Sequence, residues 1–263
     1  MIHPTAIIDS GAEIASDVEV GPYSIIGAGA VLHSGVKLKS HVVVEGQTHI
    51  GARTVVYPYT VLGGPGQHQR AKCDQSTLVI GEDCTIREQV SLHRGTELDD
   101  NITSLGDRVF VMSAAHIGHD CRIEDDAIIA SNVSLGGHVK VGASAFLGGL
   151  VGVHQGVRIG HQAYIGGCAA VAKDVIPYAS VVGNRAVLGG FNLPGLKRQN
   201  LSRETLRAMV AAFRALFLSD GVFTDRVELV EKDFGEIPQI RDVIEFIRAG
   251  GARPVMGASS EEV

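Results

Sequence analysis

An aliphatic residue recurs at every sixth position along most of this chain. From Ile2 the positions Ile8, Ile14, Val20, Ile26, Leu32, Leu38, Val44, Ile50, Val56 and Leu62 follow without a miss. The register resumes at Ile80, Ile86 and Leu92. After a slip of one residue it runs from Leu105 through Val111, Ile117, Ile123, Ile129, Leu135, Val141, Leu147, Val153, Ile159 and Ile165 to Val171. A step of six fits neither the 3.6-residue turn of a helix nor the alternation of one long strand, so neither element can keep these side chains inside. A triangular coil of short parallel strands can. Each hexad forms one face, its aliphatic points inward, and three hexads close a turn that stacks on the next at about 4.8 Å. The twenty-six hexads make between eight and nine coils.

Composition agrees with such a coil. Trp is absent and Gly fills 33 positions, often directly after the aliphatic as in Val20-Gly21, Ile50-Gly51, Ile80-Gly81 and Ile117-Gly118, where it is expected to give the corners backbone freedom. A second small or medium residue follows four positions on, such as Ser24, Thr54, Ala115, Ala127 and Val139. Two stretches break the pattern and are expected to leave the coil as loops, residues 63–78 and 93–104. The regular pattern ends near Pro177. Beyond a Gly-rich link, Ser202 and Glu204 can open a helix with Leu206, Met209, Val210, Phe213, Leu216 and Phe217 on one face. Segments 225–232 and 240–249 complete a small helical domain, with a frayed tail from Arg253. The division is a β coil over 1–190 and an α-helical part over 191–263.

A net charge of -6 argues against a general nucleic-acid binder. No leader-like start and no run of eighteen apolar residues is present, which reads as a cytoplasmic protein without membrane insertion. The four cysteines, Cys73, Cys84, Cys121 and Cys168, form no C-x-x-C pair and read as reduced thiols.

The chain has eleven histidines, and the coil shows which of them could meet. One coil of eighteen residues carries His119 to Gly137, beside His138. A second carries it to Gln155, beside His154. His119, His138 and His154 therefore fall on neighbouring coils of one edge, with His116 three residues upstream. Spacing alone leaves three readings open: solvated corner histidines, a zinc site, or an imidazole base oriented by the adjacent Asp120. The string His116-Ile117-Gly118-His119 does not reproduce the ligand spacing of the zinc-binding hydratases built on such coils.

The six-residue repeat resembles the hexapeptide-repeat acyltransferases, which implies an all-β left-handed parallel β-helix, followed here by a small α-helical C-terminal domain, and a homotrimer. More specifically, Leu92-His93-Arg94-Gly95-Thr96, His116-Ile117-Gly118-His119-Asp120-Cys121, Gly136-Gly137-His138-Val139, Val153-His154-Gln155 and Gly195-Leu196-Lys197-Arg198 resemble the UDP-N-acetylglucosamine O-acyltransferase family of lipid A biosynthesis. The resemblance implies transfer of a 3-hydroxyacyl group from acyl carrier protein to the sugar 3-hydroxyl. It assigns His119 as general base, Asp120 as its orienter and the Gly137 N–H as oxyanion donor. It gives Gln67, Arg70, His116, His138 and His154 substrate contacts, places Gln155, Asn192 and Arg198 at the nucleotide, and makes Gly167 and Arg185 the acyl-chain ruler.

Departures from the family pattern sit in the first loop, where His68 and Arg70 stand in place of an acidic residue and a lysine, and at Pro194. They leave a 3-amino sugar analogue open as acceptor. The runner-up activity is a coenzyme A-dependent acetyltransferase, and a non-catalytic β scaffold is the remaining alternative. No resident cofactor is implied, because phosphopantetheine arrives on the donor protein. Five basic residues between Lys197 and Arg214, against Glu204 alone, mark an expected docking face for an acidic carrier.

Overall fold

In the computed structural model, which describes residues 1–72 and 75–258, the hexads form a left-handed parallel β-helix. Strands run in chain order from β1 (Ile7–Ile8) and β2 (Glu13–Ile14) through β3 (Glu19–Val20) to β25 (Ala170–Val171), β26 (Ala179–Val182) and β27 (Val187–Phe191). Every third strand pairs in parallel, so that Ile7 lies beside Ile25 and Ile25 beside Val43. The first sheet starts at β1 with nine strands, the second at β2 with eight, and the third at β3 with ten. Each aliphatic hexad position from Ile8 to Val171 belongs to one of these strands.

The inward column is buried from Val20 onward, and burying each such aliphatic is worth about 1.5–3 kcal/mol. Ile2, on the first turn, is 48% exposed because no coil covers it from below. The second inward position of each hexad lies near a corner, where space is short and small residues fit. Hydroxyls there are satisfied: Thr54 Oγ1 donates to Gly81 O at 2.9 Å and Ser24 Oγ to Lys39 O at 3.0 Å.

The corner glycines correct the expectation of backbone freedom. Left-handed φ falls instead on side-chain-bearing residues such as His41, Arg53, Asp120, Asp126 and His138. Each sends its N–H along the coil axis to the preceding turn, as His138 N does to His119 O at 2.9 Å. The glycines after the aliphatics are needed for close approach: a Cβ on Gly51 would stand 2.4 Å from Gly81 C.

The sequence pattern also stopped short at the C-terminal end. The coil continues past Pro177 through β26, and β27 closes the third sheet by pairing antiparallel to it. Helices α1 (Leu193–Arg198), α2 (Arg203–Phe217), α3 (Phe223–Phe234) and α4 (Pro238–Arg248) follow. The short α1 had no periodic signal. Ser202 caps α2 by accepting from Thr205 N, and Phe213 packs edge-on against Phe191 at 5.5 Å. The tail is docked rather than frayed as far as Ala258: Met256 N donates to Asp174 O, Leu188 N to Gly257 O, and Met256 is buried. No helix among the described residues is long and apolar enough to cross a membrane.

Both insertions leave at one corner. The first joins β10 (Val61–Gly64) to β11 (Thr77–Ile80), and the second joins β13 (Ser91–His93) to β14 (Ile102–Leu105), each bridging the first sheet to the second. They are narrower than the expected 63–78 and 93–104, since the strands run into both. Cys73 lies outside the described residues. Cys84, Cys121 and Cys168 are free thiols, and burial pushes the Cys84 thiol up to about 11.

Candidate active site

The edge that carries both insertions also carries the histidines. His119 and Asp120 turn the corner between β16 (His116–Ile117) and β17 (Arg122–Ile123); Gly137 and His138 turn the same corner one coil on. Asp120 and His138 both adopt left-handed φ, 60° and 61°, which aims their side chains at a common point. His119 Nδ1 lies 2.7 Å from Asp120 Oδ2, and the His119 and His138 rings meet edge to face at 5.0 Å.

His119 and Asp120 are only 5% and 2% exposed. Burial of this carboxylate is offset by donors from the second insertion: Thr96 N reaches Oδ1 at 2.7 Å, and Thr96 Oγ1 reaches Oδ2 at 2.6 Å. Thr103 Oγ1 in turn accepts the Asp120 N–H at 2.7 Å. A carboxylate only accepts, so Nδ1 of His119 carries hydrogen and Nε2 is left as the basic atom. Gly137 lies under the ring, where a Cβ would stand 2.5 Å from His119 Cε1. Its N–H donates to no acceptor among the described residues.

The first insertion closes over this pair. Gly66 approaches so near that a Cβ would meet Thr96 Cγ2 at 2.6 Å and His119 Cβ at 3.1 Å. The His68 ring then stands edge-on to His119 at 5.7 Å. Gln67 and Arg70 are exposed on the same loop, around a hollow of about 380 Å³.

The remaining expected residues are spread more widely. His116 bonds Ser91 Oγ at 2.9 Å and packs against His93 at 5.1 Å, on the outer face of the first sheet. His154 and Gln155 are exposed on the next coil of the histidine edge, and His154 Nδ1 is 3.2 Å from Gln155 O. Asn192 caps α1 by accepting from Gly195 N and donates to Gln162 O, which places it and the exposed Arg198 on the corner between the second and third sheets. Gly167 lies on the third corner, where a Cβ would meet Gly149 O at 3.1 Å. Arg185 lies nearby, its backbone bridged to Ala170. One chain thus carries the three groups on three different edges.

Thr96, Thr103 and Asp99 were not singled out from the sequence, although all three hold the site. Asp99 Oδ2 accepts from His138 Nδ1 at 2.9 Å. Thr96 and Asp99 lie within the second insertion and Thr103 where it rejoins the coil; of the three, only Thr96 stood in one of the motif strings.

One donor atom each from His119, Asp120 and His138 lies within 4.8 Å of the others, the span of a metal site. The hydrogen bond between His119 Nδ1 and Asp120 Oδ2 and the two Thr96 donors already engage both oxygens of this carboxylate.

Burial first, and the neighbouring His93 second, push His116 below its ordinary value of 6.5. The folded state therefore binds this proton less readily than the unfolded chain. Its contribution to stability is complete above pH 6.5 and is lost as the pH falls below that value. Denaturant titrations of His116→Asn are expected to show a shallower loss of stability on acidification than the parent, by at most about 1.4 kcal/mol per pH unit. Identical slopes would remove His116 as the titrating group.

Known proteins share this fold over nearly the whole chain. Residues 174–256 match a family model described as UDP-N-acetylglucosamine O-acyltransferase, domain 2, and residues 1–34 and 102–137 match the bacterial transferase hexapeptide repeat. An acyl-[acyl-carrier-protein]–UDP-N-acetylglucosamine O-acyltransferase of Azorhizobium caulinodans is 46% identical over 100% of this chain and 98% of its own. One of Caulobacter vibrioides is 46% identical over 97% of each. The crystal structure of the Moraxella catarrhalis UDP-N-acetylglucosamine O-acyltransferase superposes with a TM-score of 0.93 at 35% identity, covering 97% of this chain and 99% of that one. The fold, the repeat and these relatives define a hexapeptide-repeat acyltransferase. Within that class the likeness extends from the first coil to the helical end. The chain belongs to the UDP-N-acetylglucosamine O-acyltransferase family.

Proposed function

We propose that the chain transfers a 3-hydroxyacyl group from acyl carrier protein to the 3-position of UDP-N-acetylglucosamine, opening lipid A biosynthesis in the cytoplasm. The observation that carries the mechanism is the buried His119–Asp120 pair over Gly137. A sugar hydroxyl is a weak nucleophile at neutral pH and needs a base. As its oxygen bonds to the thioester carbonyl carbon, its proton passes to His119 Nε2. The oxyanion formed on the carbonyl oxygen accepts from the Gly137 N–H. Collapse breaks the carbon–sulfur bond, and the thiolate takes the proton back from His119. No resident cofactor enters these steps.

His116, His138 and His154 line the acceptor side, and Gln67 and Arg70 approach it from the first insertion. Gln155, Asn192 and Arg198 hold the nucleotide, with Arg198 suited to phosphate by its forked donors. Because Asn192 and Arg198 stand on a different edge from His119, they can serve one substrate only if a second copy supplies them, which supports a homotrimer with clefts between chains. Gly167 puts no side chain at its own position on the third corner and with Arg185 sets the acyl length, which we read as long. Comparison of short and long 3-hydroxyacyl donors tests that reading.

Incubation with UDP-N-acetylglucosamine and 3-hydroxyacyl carrier protein is expected to release free carrier thiol and an O-acylated sugar; no product from the parent protein would sink the proposal. His68, in place of an acidic residue and edge-on to the base, favours one second reading, the 3-amino analogue with an amide formed. Direct competition between the two acceptors decides it.

For carrier docking, Leu193, Lys197, Leu206, Arg207 and Val210 surround a hollow of about 280 Å³ on the basic stretch. Changing Arg203 and Arg207 together to Glu is expected to raise the apparent KM for the carrier donor about tenfold at low salt, less at high salt, with kcat unchanged. A KM that does not move would place docking elsewhere.

A further inference from the structure

We infer that Asp99 is a positioning residue for His138, so that the second insertion holds two carboxylate–imidazole pairs side by side rather than one. This rests on the reading of His138 as a substrate contact. Thr96 ties the two pairs together. Its N–H and Oγ1 donate to Asp120, while its carbonyl accepts from Asp99 N at 3.2 Å and Asn101 N at 3.1 Å, folding the turn that presents Asp99. The Asp99 carboxylate takes the His138 Nδ1 hydrogen at 2.9 Å. That hydrogen bond, above all else, also holds the Asp99 carboxyl below the usual carboxylate range.

The charged and titratable groups facing His138 are Asp99 from the insertion and Asp120 and His119 from the preceding coil. Asp100 beside them is engaged by Arg122. With Nδ1 committed to Asp99, Nε2 of His138 is the ring's acceptor. It lies 3.8 Å from Asp120 Oδ2, too far for a hydrogen bond, and stays open to a substrate hydroxyl. Without Asp99 the ring is free to turn over or exchange tautomers. The Asp99 side chain is 47% exposed, so the pair adds little to stability, and its effect belongs in the kinetics.

The experiment compares kcat/KM for Asp99→Ala, Asp99→Asn, His138→Ala and the Asp99→Ala/His138→Ala double variant, using the full chain with UDP-N-acetylglucosamine and 3-hydroxyacyl carrier protein. Asp99→Ala is expected to lose about tenfold, the scale of one hydrogen bond to a charged group. Asp99→Asn, whose carbonyl oxygen still accepts from Nδ1, recovers most of that loss. In the His138→Ala background the Asp99 change costs nothing further. An Asp99→Ala loss that is equal in both backgrounds, an Asn variant no better than Ala, or an unimpaired Asp99→Ala overturns the proposal. If His138→Ala is impaired and Asp99→Ala is not, only this inference fails. A fully active His138→Ala also removes His138 as a substrate contact.

Discussion

His119→Ala is expected to lower kcat by about 10²–10⁴, the range that a positioned proton acceptor supplies. The fold should survive. Asp120 keeps both Thr96 donors when the imidazole goes, so the cost to stability stays near that of one lost hydrogen bond, about 1–3 kcal/mol. Initial rates with carrier-bound donor, together with a thermal melt, separate the two effects. Asp120→Asn probes the same pair from the other side. The amide still accepts from one donor but no longer offers two equivalent oxygens to Thr96 N, Thr96 Oγ1 and His119 Nδ1, so the imidazole loses its fixed tautomer. Alanine at 119 with more than a tenth of parental activity would move the base to another imidazole on this edge, with His138 nearest.

Gly81→Ala tests the coil itself, and two general effects predict opposite signs. In a conformation that L residues adopt freely, such a change stabilises by about 0.4–1 kcal/mol through the unfolded chain. Gly81 meets that condition, since its φ is not left-handed. Against this, the added Cβ would lie 2.5 Å from both Gly106 C and Asp107 Oδ1. Backbone of the next coil cannot step aside without opening the ladder on either side, and such overpacking costs about 1–3 kcal/mol or more. The clash wins, so chemical denaturation should show a destabilised protein. A variant as stable as the parent would mean that neighbouring coils can separate locally at this corner.

Much of the architecture was legible because each inward position is an independent vote for one period, and a stack of identical turns repeats its own evidence. The same logic explains where reading stopped. Beyond Val171 the spacing to Val181 breaks the step of six, so β26 and the antiparallel β27 left no periodic trace. The tail from Arg253 looks polar and short, yet Met256 is held by backbone bonds to Asp174 that have no sequence signature. At the site, eighteen-residue counting put Gly137 and His138 next to His119 because all three belong to the regular coil. Thr96, Asp99 and His68 come from the insertions, whose folding depends on what they pack against. The corner glycines were recognised for the wrong reason: composition reveals that glycine is needed, but only the distance to the adjoining coil reveals that steric room is what it supplies.

Leu62 pairs with Leu92 and Leu92 with Ile117, thirty and twenty-five residues apart where the regular spacing is eighteen. The coil therefore tolerates surplus length only by extruding the remainder at a corner and re-entering in phase, and both remainders emerge above His119. Segments of this kind can change in length and composition while every later side chain keeps its face. A scaffold built this way can acquire a different acceptor preference by altering what overhangs the base, with the proton-transfer apparatus beneath it untouched.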